Sequence, residues 1–383
     1  MRDDTHWVGT WTAAPAPAEG AAFGNHTLRM IPRVSIGGSA LRVRISNAYG
    51  TRPLAIGAAC VGLRSAGPAV VPGSSRRIKF GGEAGATIAV GALVVSDPVD
   101  IAFAPLSDLA VSVHLPDDLP ASFGITGRYA RQTNYISPPG DFSAAEIMPV
   151  GRLTDDWYFV SGVDVVAPRE TGAVVALGDS LTDANISTHD GHHSWPSQLA
   201  RRLMARQSGR PMAVMNQGLG GNRILHDIRG DSGLRRFDRD VLAQPGITHA
   251  IIMLGTNDLR NRSGKPEEEV TAPQMIGGLK QFAMRHARGI RVIVGTLTPF
   301  ENETFLPGAW NPKREAIRQE VNEWLRETDA FDAIVDFDRA LRDPDQPTRM
   351  LPKYDCGDHL HPSDLGYRAM GDAIDLALFE VKP

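Results

Sequence analysis

The chain has 383 residues, of which 42% are hydrophobic and 22% are charged, and its formal net charge is −4. This length predicts two domains rather than one. The weak negative charge provides no basic surface for nucleic acid or for an anionic membrane. No apolar run approaches the ~20 residues that a helix needs to cross a bilayer, so we expect no membrane insertion.

The amino terminus and the cysteines give weak evidence about the cellular compartment. Residues 1–6 lack the apolar core of a signal peptide, so we expect a cytoplasmic protein unless a leader has been removed. Cys60 and Cys356 are too few for a disulfide framework. Two separate thiols are the preferred interpretation, and a single bond is the alternative.

Short strand signals separated by glycine and proline fill residues 1–168. Residues 41–46 and 109–115 alternate apolar and polar side chains, which is the period of a half-buried strand. Weaker signals cover residues 28–36, 54–63, 92–96 and 157–166. This spacing predicts an all-β sandwich or jelly-roll domain. Such a domain could bind carbohydrate or cover the cleft of the second domain, and the fold alone decides neither.

Strands alternate with helices in residues 169–383. The predicted strands cover residues 173–177, 212–216, 249–254, 290–297 and 333–337. One predicted helix begins near Ser194, one follows Pro362, and the others cover residues 234–242, 274–286 and 313–327. The alternation predicts an α/β domain with a parallel, doubly wound sheet. The carboxyl ends of its strands share one edge, where such folds bind ligands.

Residues with catalytic chemistry follow several of these strands. Ser180 follows the first strand, Gly221 lies in a glycine-rich loop after the second, and Asn257 follows the third. A serine hydroxyl becomes nucleophilic when a neighbouring base takes its proton. His361 can be that base, and Asp358, three residues earlier, can fix its tautomer. The backbone N–H groups of Ser180 and Gly221 and the amide of Asn257 can stabilise an oxyanion.

Each of these segments also has a purely structural interpretation. The glycines around Gly221 could form only a tight turn, and Asn257 could cap a helix. The functional interpretation is preferred because a nucleophile, a base, an acid and oxyanion donors are all predicted at one edge of the sheet.

The same segments carry a family resemblance. Gly178-Asp179-Ser180-Leu181, the Gly221 loop, Gly255-Thr256-Asn257-Asp258 and the Asp358–His361 pair resemble, in order, the four sequence blocks of the SGNH hydrolases, or GDSL esterase/lipase family. The resemblance implies a serine esterase that needs no cofactor and no metal. It implies Ser180 as nucleophile, Ser180, Gly221 and Asn257 as the oxyanion hole, and Asp358 and His361 as the rest of the triad. It also implies a flavodoxin-like sheet with strand order 2-1-3-4-5.

The amino-terminal sequence Trp7-Val8-Gly9-Thr10-Trp11 resembles a subgroup with a β-domain ahead of the hydrolase, similar to aryl esterases and acetyl xylan esterases. This resemblance implies acetyl groups on carbohydrates as the substrate, with short-chain lipid or aryl esters as the alternative. Asp183-Ala184-Asn185 stands where that family has a glycine, which changes the pocket wall. The predicted substrate-binding residues are Arg223, Leu259, Phe300 and His359, and further candidates for the pocket wall are Arg260, Phe305 and Trp310.

Three other interpretations compete with a serine esterase. An α/β-hydrolase would need a glycine where Thr182 stands. A metal-dependent phosphoesterase could use the histidines of residues 189–193 and 358–361. A solvated loop is the preferred interpretation of the first histidine cluster, and the serine set explains the second. A catalytically inactive carbohydrate-binding protein is disfavoured because no member of the five-residue set is missing. The oligomeric state stays open.

Overall fold

The computed structural model describes residues 4–17, 21–121, 127, 131–206, 208–261, 263–284 and 289–380. The chain divides into two compact units, Met1–Thr171 and Gly172–Pro383. The assignment of residues 1–168 and 169–383 as separate functional domains stays a prediction. Across the described ranges, no helix has both the length and the apolar character to cross a membrane. Both cysteines are free thiols.

Antiparallel sheets form the first unit, which confirms the predicted β-domain. Its strands are β1 (Thr5–Thr12), β2 (His26–Met30), β3 (Gly38–Ser46), β4 (Leu54–Ile56), β5 (Ala58–Leu63), β6 (Arg76–Ile78), β7 (Ala86–Ile88), β8 (Leu93–Val95), β9 (Val99–Phe103), β10 (Leu109–Leu115), β11 (Asn134–Pro139), β12 (Arg152–Thr154) and β13 (Val160–Pro168). One sheet has the order β1-β13-β3-β8, with β9 also paired to β3. A second has the order β12-β11-β2-β10-β5-β6, and β4 pairs with β7.

The structure divides one predicted strand of this unit and shortens another. The predicted strand over residues 54–63 is divided at Gly57, whose amide donates to the carbonyl of His114 at 3.0 Å. A Cβ at this glycine would lie 2.7 Å from His114 Nδ1, so only glycine allows the close approach. The predicted strand over residues 28–36 ends at Met30 because Pro32 has no N–H for a ladder.

A five-stranded parallel sheet forms the centre of the second unit. Its strands are β14 (Gly172–Gly178), β15 (Met212–Gly218), β16 (Ile247–Met253), β17 (Arg291–Gly295) and β18 (Ala333–Val335). The order β15-β14-β16-β17-β18 is the predicted 2-1-3-4-5, and every neighbouring pair is parallel. This confirms the flavodoxin-like, doubly wound sheet. Every residue of the interior strand β14 is buried, as expected for a strand covered on both faces.

Helices connect these strands. They are α1 (Ser180–Asp183), α2 (Trp195–Ala205), α3 (Gly233–Phe237), α4 (Thr256–Leu259), α5 (Ala272–Met284), α6 (Pro312–Glu327), α7 (Phe337–Leu341) and α8 (Asp364–Asp372), with a π-helical turn at Asp238–Leu242. Positions 285 and 286 of the predicted helix over 274–286 lie outside the described residues. Side-chain caps fix several starts: Ser194 Oγ accepts from Ser197 N at 3.1 Å, and Asn311 Oδ1 from Arg314 N at 3.0 Å.

Candidate active site

Ser180 lies where the interior strand β14 ends and a helix begins. Gly178 ends β14, Asp179 is the N-cap, and Ser180 is the first residue of α1. The Asp179 carboxylate accepts a hydrogen bond from Leu181 N at 2.9 Å. The amide of a first helical residue has no intrahelical partner. The turn therefore presents both the hydroxyl and the backbone N–H of Ser180 at the carboxyl edge of the sheet.

His361 joins Ser180 to Asp358 in a chain of short hydrogen bonds. Its Nε2 lies 2.9 Å from Ser180 Oγ, and its Nδ1 lies 2.7 Å from Asp358 Oδ2. The other Asp358 oxygen accepts from the backbone amides of Leu360 and His361 at 2.9 and 2.7 Å. With a carboxylate beside Nδ1, that nitrogen carries the proton, and Nε2 can accept from the serine hydroxyl.

The Asp358 carboxylate is held in its charged form. Burial alone would raise its pKa, but hydrogen bonds from the ring and backbone of His361 and from Leu360 N outweigh burial and lower the pKa to about 2. The carboxylate is therefore ionised throughout the neutral range, where it can stabilise an imidazolium on His361.

The glycine loop after β15, residues 219–222, supplies backbone N–H groups. Gly221 has φ = 83°, a left-handed conformation that favours glycine. Leu219 N donates to the carbonyl of Gly178 at 3.0 Å, which joins the loop to the end of β14. Among the described residues, none accepts a hydrogen bond from the amide of Ser180 or of Gly221. Both N–H groups are available to an incoming oxygen atom.

The Asn257 side chain is fixed from both ends. Its Nδ2 donates to Asp179 Oδ2 at 2.9 Å and to the carbonyl of Asn222 at 3.2 Å. Its Oδ1 accepts from Arg260 Nη1 at 2.9 Å. The carboxylate at one end and the guanidinium at the other leave only one orientation of the amide. The N-cap of α4 is Gly255, so Asn257 does not cap that helix.

Arg236 joins the strand ends beneath this site and was not predicted from the sequence. Its buried guanidinium donates to the carbonyls of Gly178 at 2.8 Å and Gln217 at 2.9 Å, and to Asn222 Oδ1 at 2.9 Å. It also pairs with Asp240 at 3.0 Å. One cation thus connects β14, β15 and the glycine loop. Nothing in the local sequence distinguishes this arginine from its neighbour Arg235, because all but one of its partners are distant along the chain.

Three of the predicted substrate-binding residues are buried. Leu259 and Phe300 are each 1% exposed. The Arg223 side chain is fully buried, forms an ion pair with Glu268 and donates to the carbonyl of His226 at 3.3 Å. In this conformation these side chains offer almost no surface to a ligand.

Two other candidates for substrate contact are exposed. The His359 side chain is 48% exposed, and its Nδ1 lies 2.6 Å from Asp355 Oδ2. Its backbone has φ = 61°, which is uncommon for a residue with a side chain. Phe305 is 54% exposed, and its ring centroid lies 5.3 Å from that of His361 in an edge contact. The ring of Phe305 therefore contacts His361, and the imidazole of His359 lies two residues before it in the sequence.

One group in the described part of the chain has a spacing compatible with a metal ion. Ligand atoms of Asp355, Cys356 and Asp358 lie within 4.8 Å of one another. Burial raises the pKa of the Cys356 thiol to about 12, so the thiol is a poor ligand at neutral pH. The carboxylate of Asp358 already accepts from His361. This donor set fits the acid–base pair better than a metal.

Asp258 holds the start of the segment that follows the glycine loop. Its carboxylate accepts from Ile224 N at 2.7 Å and from Leu225 N at 3.1 Å. Burial raises the pKa of Asp258 to about 7, although these two hydrogen bonds oppose the shift. Burial likewise raises the pKa of Asp179 to about 6. Two buried carboxyl groups that titrate near neutral pH thus lie beside the site.

Residues 176–369 match the model of a family described as GDSL-like lipase/acylhydrolase. Three solved structures are similar to about half of this chain. A G-D-S-L family protein from Desulfitobacterium hafniense is 24% identical, with a TM-score of 0.39, over 52% of this chain and 96% of that one. A mutant acetyl-xylooligosaccharide esterase from Geobacillus Stearmophilus is 20% identical (TM-score 0.40; 53% and 91%). A carbohydrate acetylesterase family member from Sinorhizobium meliloti is 19% identical (TM-score 0.39; 53% and 94%). No curated protein matches the chain.

The raised pKa of Asp258 predicts a pH dependence of stability. Because an unfolded aspartate has a pKa of about 3.9, protonated Asp258 stabilises the fold most at pH values below this, and its contribution is lost as the pH rises through about 7. The variant Asp258→Asn cannot ionise. Its melting temperature should therefore fall less than that of the wild type between about pH 5 and pH 8. Asp345→Asn, at an exposed position, is the control, and its melting temperature should change with pH as that of the wild type does. An equal change of melting temperature with pH in Asp258→Asn and the wild type would contradict the raised pKa of Asp258.

Proposed function

The chain belongs to the GDSL-like lipase/acylhydrolase family, and from this premise we propose that its second unit hydrolyses carboxylic esters through an acyl-enzyme on Ser180. The proposal rests chiefly on one observation, the hydrogen-bond chain from Ser180 Oγ through His361 to Asp358, with distances of 2.9 and 2.7 Å. This is the arrangement that a serine needs to lose its proton during attack.

In the proposed first half-reaction, Ser180 Oγ bonds to the carbonyl carbon of the ester while its proton passes to His361 Nε2. The carbonyl π electrons move to oxygen and form a tetrahedral oxyanion. Collapse of this intermediate breaks the bond to the alcohol oxygen, which takes the proton from His361. Asp358 stabilises the transient imidazolium without accepting its proton. Water then repeats the sequence on the acyl-serine and releases the carboxylic acid.

Three N–H groups are proposed to hold the oxyanion: the amides of Ser180 and Gly221 and the Nδ2 of Asn257. The Asn257 amide would exchange its long 3.2 Å bond to the carbonyl of Asn222 for the oxyanion and keep its 2.9 Å bond to Asp179. Such hydrogen bonds often tighten only in the complex with substrate. Donors fixed before the reaction stabilise the transition state most, because they need little reorganisation.

Acetyl groups on carbohydrates are the proposed substrate, as the resemblance of the amino-terminal sequence implies. Two exposed side chains support this proposal. The half-exposed ring of Phe305 can stack on the apolar face of a sugar, and the imidazole of His359, anchored by Asp355, can bond to a hydroxyl. The Phe305 ring is equally suited to an aryl group, so aryl or short-chain esters are the second candidate.

Ser180→Ala should lower kcat by about four to six orders of magnitude while the fold remains, because the nucleophile is lost. A fluorophosphonate should label the wild type at Ser180, mapped by peptide mass spectrometry, and a chelator should leave the activity unchanged. Ser194→Ala is the control: it removes the cap of α2, lowers stability by about 1 kcal/mol, and should keep wild-type kcat. A label on another serine would contradict the nucleophile, and loss of activity in chelator would favour a metal-dependent phosphoesterase.

Asn257→Ala should lower kcat roughly 10²–10³-fold with little change in KM, because the lost bond matters chiefly when charge develops on oxygen. Labelling by a fluorophosphonate should slow as well. Asn311→Ala, at a true helix cap, is the matched control and should cost about 1 kcal/mol of stability at unchanged kcat. A destabilised Asn257→Ala variant with wild-type kcat would show that this amide does not donate to the oxyanion.

Ester profiling should separate the two substrate candidates. We expect kcat/KM to fall from p-nitrophenyl acetate to longer acyl chains, and we expect acetylated xylan to release acetate. Phe305→Ala and His359→Ala should raise KM for acetylated xylan more than for p-nitrophenyl acetate, because each removes a contact to the sugar. A preference for longer acyl chains, or equal effects on both substrates, would favour the alternative esters.

A further inference from the structure

A buried ion pair, distinct from Arg236–Asp240, contacts Asn257, the proposed side-chain donor to the oxyanion. Arg260 follows α4, and its Nε and Nη2 both donate to Glu303 Oε1, at 3.0 and 2.8 Å. The two side chains are 1% and 0% exposed. The remaining donor group, Nη1, bonds to Asn257 Oδ1 at 2.9 Å. All three nitrogens of one buried guanidinium thus have partners, and one of these partners is Asn257.

Glu303 is itself anchored to the backbone. Its Oε2 accepts from Phe305 N at 2.9 Å and from Leu306 N at 3.1 Å. The next residue, Thr304, donates its amide to the carbonyl of Asp358 at 3.1 Å. The carboxylate therefore cannot follow a displacement of Arg260, and the guanidinium has one position. Because the guanidinium is rigid and planar, a fixed Arg260 also fixes the oxygen of the Asn257 amide.

The burial of this pair argues for a role other than stability. Removing two charges from water is expensive, and apolar residues of the same size often stabilise a fold as well as a buried ion pair does. What an apolar pair could not do is bond to the Asn257 oxygen. A cation on that oxygen draws electron density from the amide and makes its N–H a stronger donor.

We propose that Arg260, held by Glu303, is a positioning residue for ester hydrolysis: it orients and polarises the Asn257 amide, which donates to the oxyanion. This inference rests on the proposed function and assigns to Arg260 a role behind the site in place of contact with the substrate. The pair acts through Asn257 and not on the substrate itself.

The variant Arg260→Met/Glu303→Met tests the proposal, because removing both charges together leaves no buried charge without its counter-ion. We expect kcat to fall about 10- to 100-fold with KM within about two-fold, a loss smaller than that of the whole donor. Arg318→Met/Glu315→Met removes another buried pair of the same unit and is the control for folding, because Asp338, the other acidic partner of Arg318, keeps its ion pairs with Arg326 and Arg342. It should keep wild-type kcat. Melting temperatures of both variants accompany the kinetics.

Coupling to Asn257 separates a positioning role from a general distortion of the site. In an Asn257→Ala background, Arg260→Met/Glu303→Met should lower kcat less than about three-fold further, because its target is already gone. A full additional loss would overturn the proposal and assign the effect to distortion of the site. Wild-type kcat in Arg260→Met/Glu303→Met, measured beside an inactive Ser180→Ala, would also overturn it and leave the esterase proposal standing. An active Ser180→Ala would overturn the esterase proposal itself.

Discussion

The parallel pairing of β14 with β15 on one side and β16 on the other determines where the proposed ester hydrolysis can occur. In this register Gly178 lies opposite Gly218 in one neighbour and Met253 in the other, so three adjacent strands end together. Ser180, Gly221 and Asn257 follow these ends by only a few residues. The serine and the proposed oxyanion donors are thus brought together by the hydrogen-bond ladder of the sheet, before any side chain contributes.

Buried charged side chains then hold the strand ends and the Asn257 amide in place. Arg236 bonds to the carbonyl groups at the ends of two strands, and Arg260 bonds to the oxygen of Asn257. In the protein interior such hydrogen bonds are stronger than in water, and a polar group without a partner costs more free energy of folding. The same burial raises the pKa of Asp179 and Asp258 toward neutrality. Rigid geometry at the site and a pH-sensitive fold therefore have one physical origin.

Local pattern was sufficient to predict a parallel sheet and to name the residues that the structure brings together around Ser180, whereas the strand order was implied by the family resemblance. It was sufficient because short-range signals, such as apolar runs followed by glycine and polar residues, mark the strand ends. It could not predict the role of Arg236, most of whose partners lie 14 to 58 residues away in sequence. Nor could it predict that Leu259 and Phe300 are buried, because apolar character alone does not distinguish a pocket wall from the core. The helices α1 and α4 were missed because four residues are too few to show a helical period.

Asp358 and His361 lie on one turn, and the aspartate also accepts hydrogen bonds from the backbone of that turn. Their mutual geometry is therefore local, whereas the bond to Ser180 spans 181 positions of sequence. During synthesis from the amino end, the serine is made long before the histidine and remains an ordinary alcohol until the last part of the unit folds against it. The hydrolysis proposed for Ser180 therefore requires the completed unit: a nascent or partly folded chain has the hydroxyl without the imidazole that would take its proton.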